Sequence, residues 1–149
     1  MIMDATLQLS NAQPITADTA STNTIDLGAT GSAYGAASAL VRDIGKGLGI
    51  PLLVTVTESF NNLTSMNILI QTDDNTAFSS PNTVYRSPEY ALADLAMGKK
   101  YLLPDNFPVD TNERYVRLFY DITGTAPTTG KITAGVVMAR QTNYTYGGR

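Results

Sequence analysis

Glu113-Arg-Tyr-Val-Arg-Leu-Phe-Tyr-Asp-Ile-Thr-Gly-Thr-Ala-Pro-Thr-Thr-Gly-Lys-Ile-Thr-Ala-Gly-Val-Val-Met-Ala-Arg140 decides the fold. Val116, Leu118, Tyr120 and Ile122 alternate with Tyr115, Arg117, Phe119, Asp121 and Thr123, the period-two pattern of a half-buried strand. A second alternating run follows, with Ile132, Ala134, Val136 and Met138 on one side and Lys131, Thr133, Gly135, Val137 and Ala139 on the other. Gly135 within it marks a bulge or a close backbone approach. The Gly124 to Gly130 segment between them carries turn formers, so the stretch reads as a hairpin. Two strands cannot cover their own apolar face in water, and a second layer is required.

The chain around this stretch supplies more short strands. Ala5 to Leu9, Thr22 to Leu27, Leu52 to Thr57, Met66 to Thr72, Thr83 to Ser87, Tyr90 to Leu95 and Lys100 to Leu103 alternate or are rich in β-branched residues. Pro88, Gly98 and Pro104 cut them short, and the Leu103 to Pro108 run is extended because each proline pushes its predecessor out of the helical region. Asn11 to Ala20, with Pro14, reads as an arm or loop. Gly28 to Gly49 is rich in Gly and Ala, with Tyr34, Leu40, Val41 and Ile44 scattered along it without a period; it reads as a long loop, although Ala36 to Arg42 could form two turns of helix. Phe78 is expected to pin the polar Asp73 to Pro81 connection to the core. About eight short strands with turns between them predict an all-β fold, an antiparallel β-sandwich of jelly-roll type with long loops, as a single domain over residues 1–149.

At 149 residues and 43% hydrophobic, the chain is long enough for one core that buries roughly two thirds of the unfolded surface. A net charge of -3 and a charged fraction of 15% leave no basic face for phosphates, so no nucleic-acid partner is expected. There is no Cys and no His. That removes disulfides, thiolate sites, the commonest metal ligand and the usual base for a nucleophilic serine. The opening residues lack a charged n-region and apolar core, and no span has membrane length, so a soluble protein made in the cytoplasm is expected.

Apparent chemical motifs fail on spacing. Gly45-Lys-Gly-Leu-Gly49 resembles a phosphate loop but is followed by a strand where a helix N-terminus is needed. Gly124 to Lys131 is one residue too long for such a loop, with Ile132 where Ser or Thr should bind magnesium. Asp73-Asp-Asn75 lacks the alternating ligands of a calcium loop and reads as a solvated turn. Glu58, Glu89 and Glu113 show no spacing that pairs them for hydrolysis. The chain is therefore not expected to be an enzyme, and no cofactor or metal is expected; a small hydrolase stays the minority reading.

Contact with partners is the better-supported expectation. The tail Gln141-Thr-Asn-Tyr-Thr-Tyr-Gly-Gly-Arg149 has no apolar period but holds Tyr144, Tyr146 and Arg149, residue types that interface cores prefer. Residues 141–149 and the N-terminal arm, about residues 1–20 with Met1, Ile2 and Met3, are the expected contact arms, joined by Tyr34 of the long loop.

Asp4 to Ser10, Ser21 to Gly28, the Gln71 to Asp74 turn with Phe78, and above all Glu113-Arg-Tyr-Val-Arg-Leu118 with Gly130 to Val137 together resemble the capsid cement (decoration) proteins of Bordetella-type podophages. The likeness runs from Met1 to about Gln141. It implies a jelly roll on the outer surface of a tailed-phage head, synthesised in the host cytoplasm. Its partners would be the major capsid protein and further copies of itself, as a homodimer or other homo-oligomer. An Arg-Tyr-Val-Arg-Leu strand is also similar to strands of discoidin-like sugar- and lipid-binding sandwiches. The alternative is a carbohydrate-binding sandwich of a phage fibre or adhesin, with Tyr85, Tyr90 and Tyr101 as exposed sugar platforms.

Overall fold

The structure, a computed structural model, describes residues 2–99 and 101–139. Its strands are β1 (Met3–Pro14), β2 (Thr19–Ala20), β3 (Ile25–Asp26), β4 (Leu52–Glu58), β5 (Leu63–Asp73), β6 (Asn82–Arg86), β7 (Tyr90–Ala91), β8 (Tyr101–Leu102), β9 (Tyr115–Gly124) and β10 (Lys131–Val137). A three-residue 3-10 turn, Leu92–Asp94, is the helical piece among the described residues, so the expected strand from Tyr90 to Leu95 is two residues followed by that turn.

The strands form two antiparallel sheets. Sheet A has the order β1-β10-β4-β8 and sheet B the order β2-β9-β5-β6, with β3 also on β9 and β7 also on β5. Because β2 and β3 share one neighbour and β6 and β7 share another, the ten segments occupy eight positions, four in each sheet. This is the jelly roll that the strand spacing predicts. The two inner faces close on one core, in which Leu9, Leu52, Met66, Ile68, Leu118 and Tyr120 are wholly buried.

One expectation about the deciding stretch is overturned. β9 and β10 do not pair as a hairpin: β9 lies in sheet B against β5, and β10 lies in sheet A between β1 and β4. The 124–130 segment crosses between the layers. Each strand has one apolar face, and in a sandwich the two faces meet across the core rather than side by side. The crossing is tied to the β4–β5 connection: Asn61 accepts from the Thr128 and Thr129 N–H groups at 2.8 and 3.1 Å and donates to the Thr128 hydroxyl at 2.8 Å.

The N-terminal segment, expected as a contact arm over about residues 1–20 with a short strand from Ala5 to Leu9, holds a longer strand in sheet A. Met3–Pro14 is a 12-residue strand along β10. Bulges at several points break its period, one of them an Asp4 turn in which the carboxylate accepts the Thr6 N–H at 2.8 Å. β1 is an edge strand with β10 as its neighbour, so Pro14 leaves no ladder bond unmade. Gly135 is the close approach anticipated from its position, because a Cβ there would sit 2.9 Å from the Gln8 Cα. Met3 folds back over the same spot, its sulfur 3.4 Å from that Cβ position, and is half-buried. The inward row of β10 holds for Ile132 and Ala134, whereas Met138, placed inward by alternation, lies past the strand and is exposed.

Candidate functional site

Strand register sorts the loops onto two ends of the sandwich. At one end lie the tied 59–62 and 124–130 crossings, where Leu63 pairs with Gly124 and Lys131 with Glu58. At the other, Met3 pairs with Val137, Leu52 with Val136, and Tyr115 with both Asp73 and Asp26. The 27–51 loop, the 103–114 connection, the 74–81 turn and the exit of β10 therefore share that second end.

This end is held by backbone and side-chain bonds. Leu27 N–H donates to the Arg114 carbonyl at 2.9 Å, Ile44 N–H to the Thr111 carbonyl at 3.1 Å, and Phe107 N–H to the Ile50 carbonyl at 3.2 Å. The Asp43 carboxylate accepts the Gly45 and Asp110 N–H groups at 3.0 and 2.9 Å, joining the two loops. Arg42 donates to the carbonyls of Leu27 and Gly28. Arg114 makes a two-pronged bond to Asp26 at 2.8 and 2.9 Å, which with the Gly28 N–H holds that carboxyl down at about 2. The result is a long loop with fixed roots and outward apolar tips.

Those tips are unusual. Tyr34 is 109% exposed, Leu48 96%, Val41 92% and Met138 80%, and Ile2, Leu40 and Val109 join them at the same end. Among the described residues, the remaining large apolar side chains of high exposure, Leu92 and Met97, lie at the opposite end. Exposed apolar groups gathered at one end are what a protein contact leaves on an unbound surface. A cleft of about 470 Å³ opens beside them, with Leu40, Val41 and Arg42 on one wall and Asp74, Glu113 and Arg114 on the other.

Of the residues expected at an interface, Ile2 and Tyr34 are brought to this end and exposed. Ile2 also accepts the Met138 N–H at 3.1 Å. Met3 is turned onto β10, and Met1, Tyr144, Tyr146 and Arg149 lie outside the described residues. Leu48, Val109 and Met138 were not anticipated as contact residues; nothing in their local pattern distinguishes them from core apolar residues.

The carboxylates considered for chemistry are spread over the fold. Glu58 pairs with Lys131, Glu89 accepts from the Ser65 hydroxyl and Glu113 from the Thr72 hydroxyl. Asp73 uses both oxygens on backbone N–H groups, those of Asn75 and Ser80, at 2.8 and 3.0 Å. Among the described residues no cluster of three or more acidic side chains forms a cation site, and no helix is long and apolar enough to cross a membrane. Of the tyrosines suggested as sugar platforms, Tyr90 is buried with its hydroxyl accepting the Leu103 N–H at 2.8 Å. Tyr85 is half-buried, and burial pushes its phenol up. The Tyr101 side chain lies outside the description.

No curated protein matches the chain. A family model, Bbp16, matches it over residues 9–139, from the middle of β1 to just past β10. Since that match covers most of the chain, the protein belongs to the Bbp16 family, a family of Bordetella phage proteins.

Proposed function

We propose that this chain is a capsid cement protein: a non-enzymatic structural component on the outer surface of a tailed-phage head that bridges neighbouring major capsid proteins and associates with copies of itself. The observation that carries this reading is the gathering of Tyr34, Leu40, Val41, Leu48, Val109, Ile2 and Met138 at one end of a rigid sandwich. Membership of a phage family supports it. A clamp needs fixed geometry and adhesive surface rather than a catalyst. Contacts of ordinary size bury about 800 Å² on each partner, and several on one lattice combine through effective concentration into near-permanent attachment.

Heads that lack this protein provide the test. Wild-type chain should co-sediment with them at a copy number comparable to that of the shell protein. A Val41→Ser, Leu48→Ser variant, altered only at exposed positions, should keep its unfolding free energy within about 0.5 kcal/mol yet bind poorly. Removal of residues 142–149 should weaken binding likewise. Undiminished occupancy by the double variant, or no binding by the wild type, would defeat the proposal.

A further inference from the structure

The outer face of sheet B carries a feature that the loop end does not use. On β9, Tyr115, Arg117, Phe119 and Asp121 point outward, opposite Asp73, Gln71, Leu69 and Asn67 of β5. Three arginines lie on or beside this face. Arg86 is paired with Asp121 and Arg114 with Asp26. Arg117 has no acidic partner among its described contacts. Its guanidinium carbon lies 4.0 Å from the centroid of Phe78 and 5.9 Å from that of Phe119, and its Nε donates to Gln71 Oε1 at 2.9 Å. Asp73, opposite Tyr115 on the neighbouring strand, has both oxygens committed to backbone N–H groups.

Phe78 reaches this place at a conformational cost. Its φ is +49°, a region that a bulky residue avoids, and it is held there by the Asp73 turn and by its own N–H bond to the Asn75 carbonyl at 3.0 Å. It is buried, as expected of a residue that pins the 73–81 connection, but against Arg117 rather than in the main core cluster. A ring beneath, a ring beside and an amide on Nε fix the plane of a guanidinium whose two terminal nitrogens have no hydrogen-bond partner among the described residues. Such a group loses little freedom on binding and matches the two oxygens of a carboxylate.

We propose that this face is a second contact surface, in which Arg117, clamped by Phe78 and Phe119 and steered by Gln71, receives an Asp or Glu side chain of a partner protein. The partner class follows from charge complementarity: among the described residues, the face offers a cation without an acidic partner, flanked by neutralised pairs and aromatic edges. In the cement reading, on which the identity of the partner rests, that carboxylate belongs to the shell.

Arg117→Gln and Arg117→Lys, each checked for an unchanged melting transition, are compared with wild type for binding to heads that lack the protein. A charge-assisted two-pronged bond predicts a loss of about tenfold to a hundredfold for Gln and a comparable loss for Lys, whose ammonium cannot pair both oxygens. Arg86→Gln serves as the control and should bind as wild type. Wild-type affinity in Arg117→Gln overturns this inference while the cement reading stands; wild-type affinity in Arg117→Lys overturns the two-pronged contact. If the wild type itself does not bind heads, the cement reading falls and the surface is judged alone, by NMR titration with N-acetyl-glutamate. A saturable shift of the Arg117 Nε–H resonance, without one at Arg86 or Arg114, upholds the site, and its absence refutes it.

Discussion

Ser10 and Tyr120 join the two sheets through the core, and their energies should be strongly coupled. Ser10 is on β1 of sheet A and Tyr120 on β9 of sheet B; both are fully buried, with their hydroxyls 2.8 Å apart. The Ser10 hydrogen goes to Gln13 Oε1 at 2.7 Å, so the tyrosine is the donor in the pair. Tyr120→Phe removes that donor while Ser10 keeps its bond to Gln13, which predicts a loss of about 0.5–1.5 kcal/mol. Ser10→Ala instead strands a buried phenol without an acceptor, which predicts about 1–3 kcal/mol. Gln13 Oε1 is not orphaned, because it still accepts the Thr22 N–H at 2.8 Å. In the Ser10→Ala background the phenol is a liability, so adding Tyr120→Phe should cost nothing or restore stability, with a coupling of about 1–2 kcal/mol. Urea unfolding of the four proteins measures this, provided their slopes agree. Additivity within about 0.5 kcal/mol would refute the claim that this bond joins the layers. Burial also pushes the Tyr120 phenol well above its ordinary value. Its contribution is therefore complete below pH of about 10, where the unfolded phenol ionises, and falls by about 1.4 kcal/mol per pH unit above it. Tyr120→Phe should flatten that alkaline limb.

Two further perturbations test the crossings and the loop end. Gly130→Ala places a Cβ 2.3 Å from the Phe60 ring at a φ of +131°, so stability should fall by at least about 1–3 kcal/mol, measured by denaturant midpoint. The Asp26 carboxyl, held at about 2 against its ordinary 3.8 chiefly by Arg114, stabilises the fold above pH 3.8 and loses that effect as pH falls through 2. Arg114→Gln should thus move the acid-unfolding midpoint upward, and an unchanged acid limb would count against the ion pair as an anchor of the loop.

How much of this was legible in the residues depends on how local each feature is. The inner row Val116, Leu118 and Tyr120 is buried as alternation predicts, because β9 is a long strand with one face on the core. Which sheet a strand joins is not written in its period. Lys131 to Val137 would alternate equally well beside β9 or across from it, and the seven-residue 124–130 connection permits either. β1 escaped recognition beyond Leu9 because a left-handed Ala12 and repeated bulges erase the period, and because Pro14 reads as a stop unless the strand is known to be an edge. At the loop end, Tyr34 was identifiable as an aromatic in a Gly- and Ala-rich run, whereas Val41 and Leu48 have the composition of core residues and differ only in where the folded loop points them. Arg117 was readable as outward-facing but not as clamped, since Phe78 is 39 positions away and meets it only through the β5–β9 register and the strained 74–81 turn.

If the chain bridges shell proteins as proposed, it must present at least two contact surfaces, and the loop end and the outer face of sheet B would supply them by different physical means. The loop end is built from connections, so its apolar tips can be displayed without disturbing the core; their roots are fixed by the Asp43, Arg42 and Arg114 bonds rather than by burial of the tips themselves. The outer face of sheet B is built from β5 and β9, whose ten paired positions are the longest mutual register among the described strands. An apolar end suits a contact driven by removing surface from water, which is tolerant of small errors in orientation. A single clamped guanidinium on the sheet face suits a contact that fixes register, because a two-pronged bond is lost when the partner is misaligned. On the proposed reading the loop end would supply adhesion and the outer face of sheet B alignment, with Phe78 held at a φ of +49° beside Arg117 and the large apolar side chains of the loop end left in water.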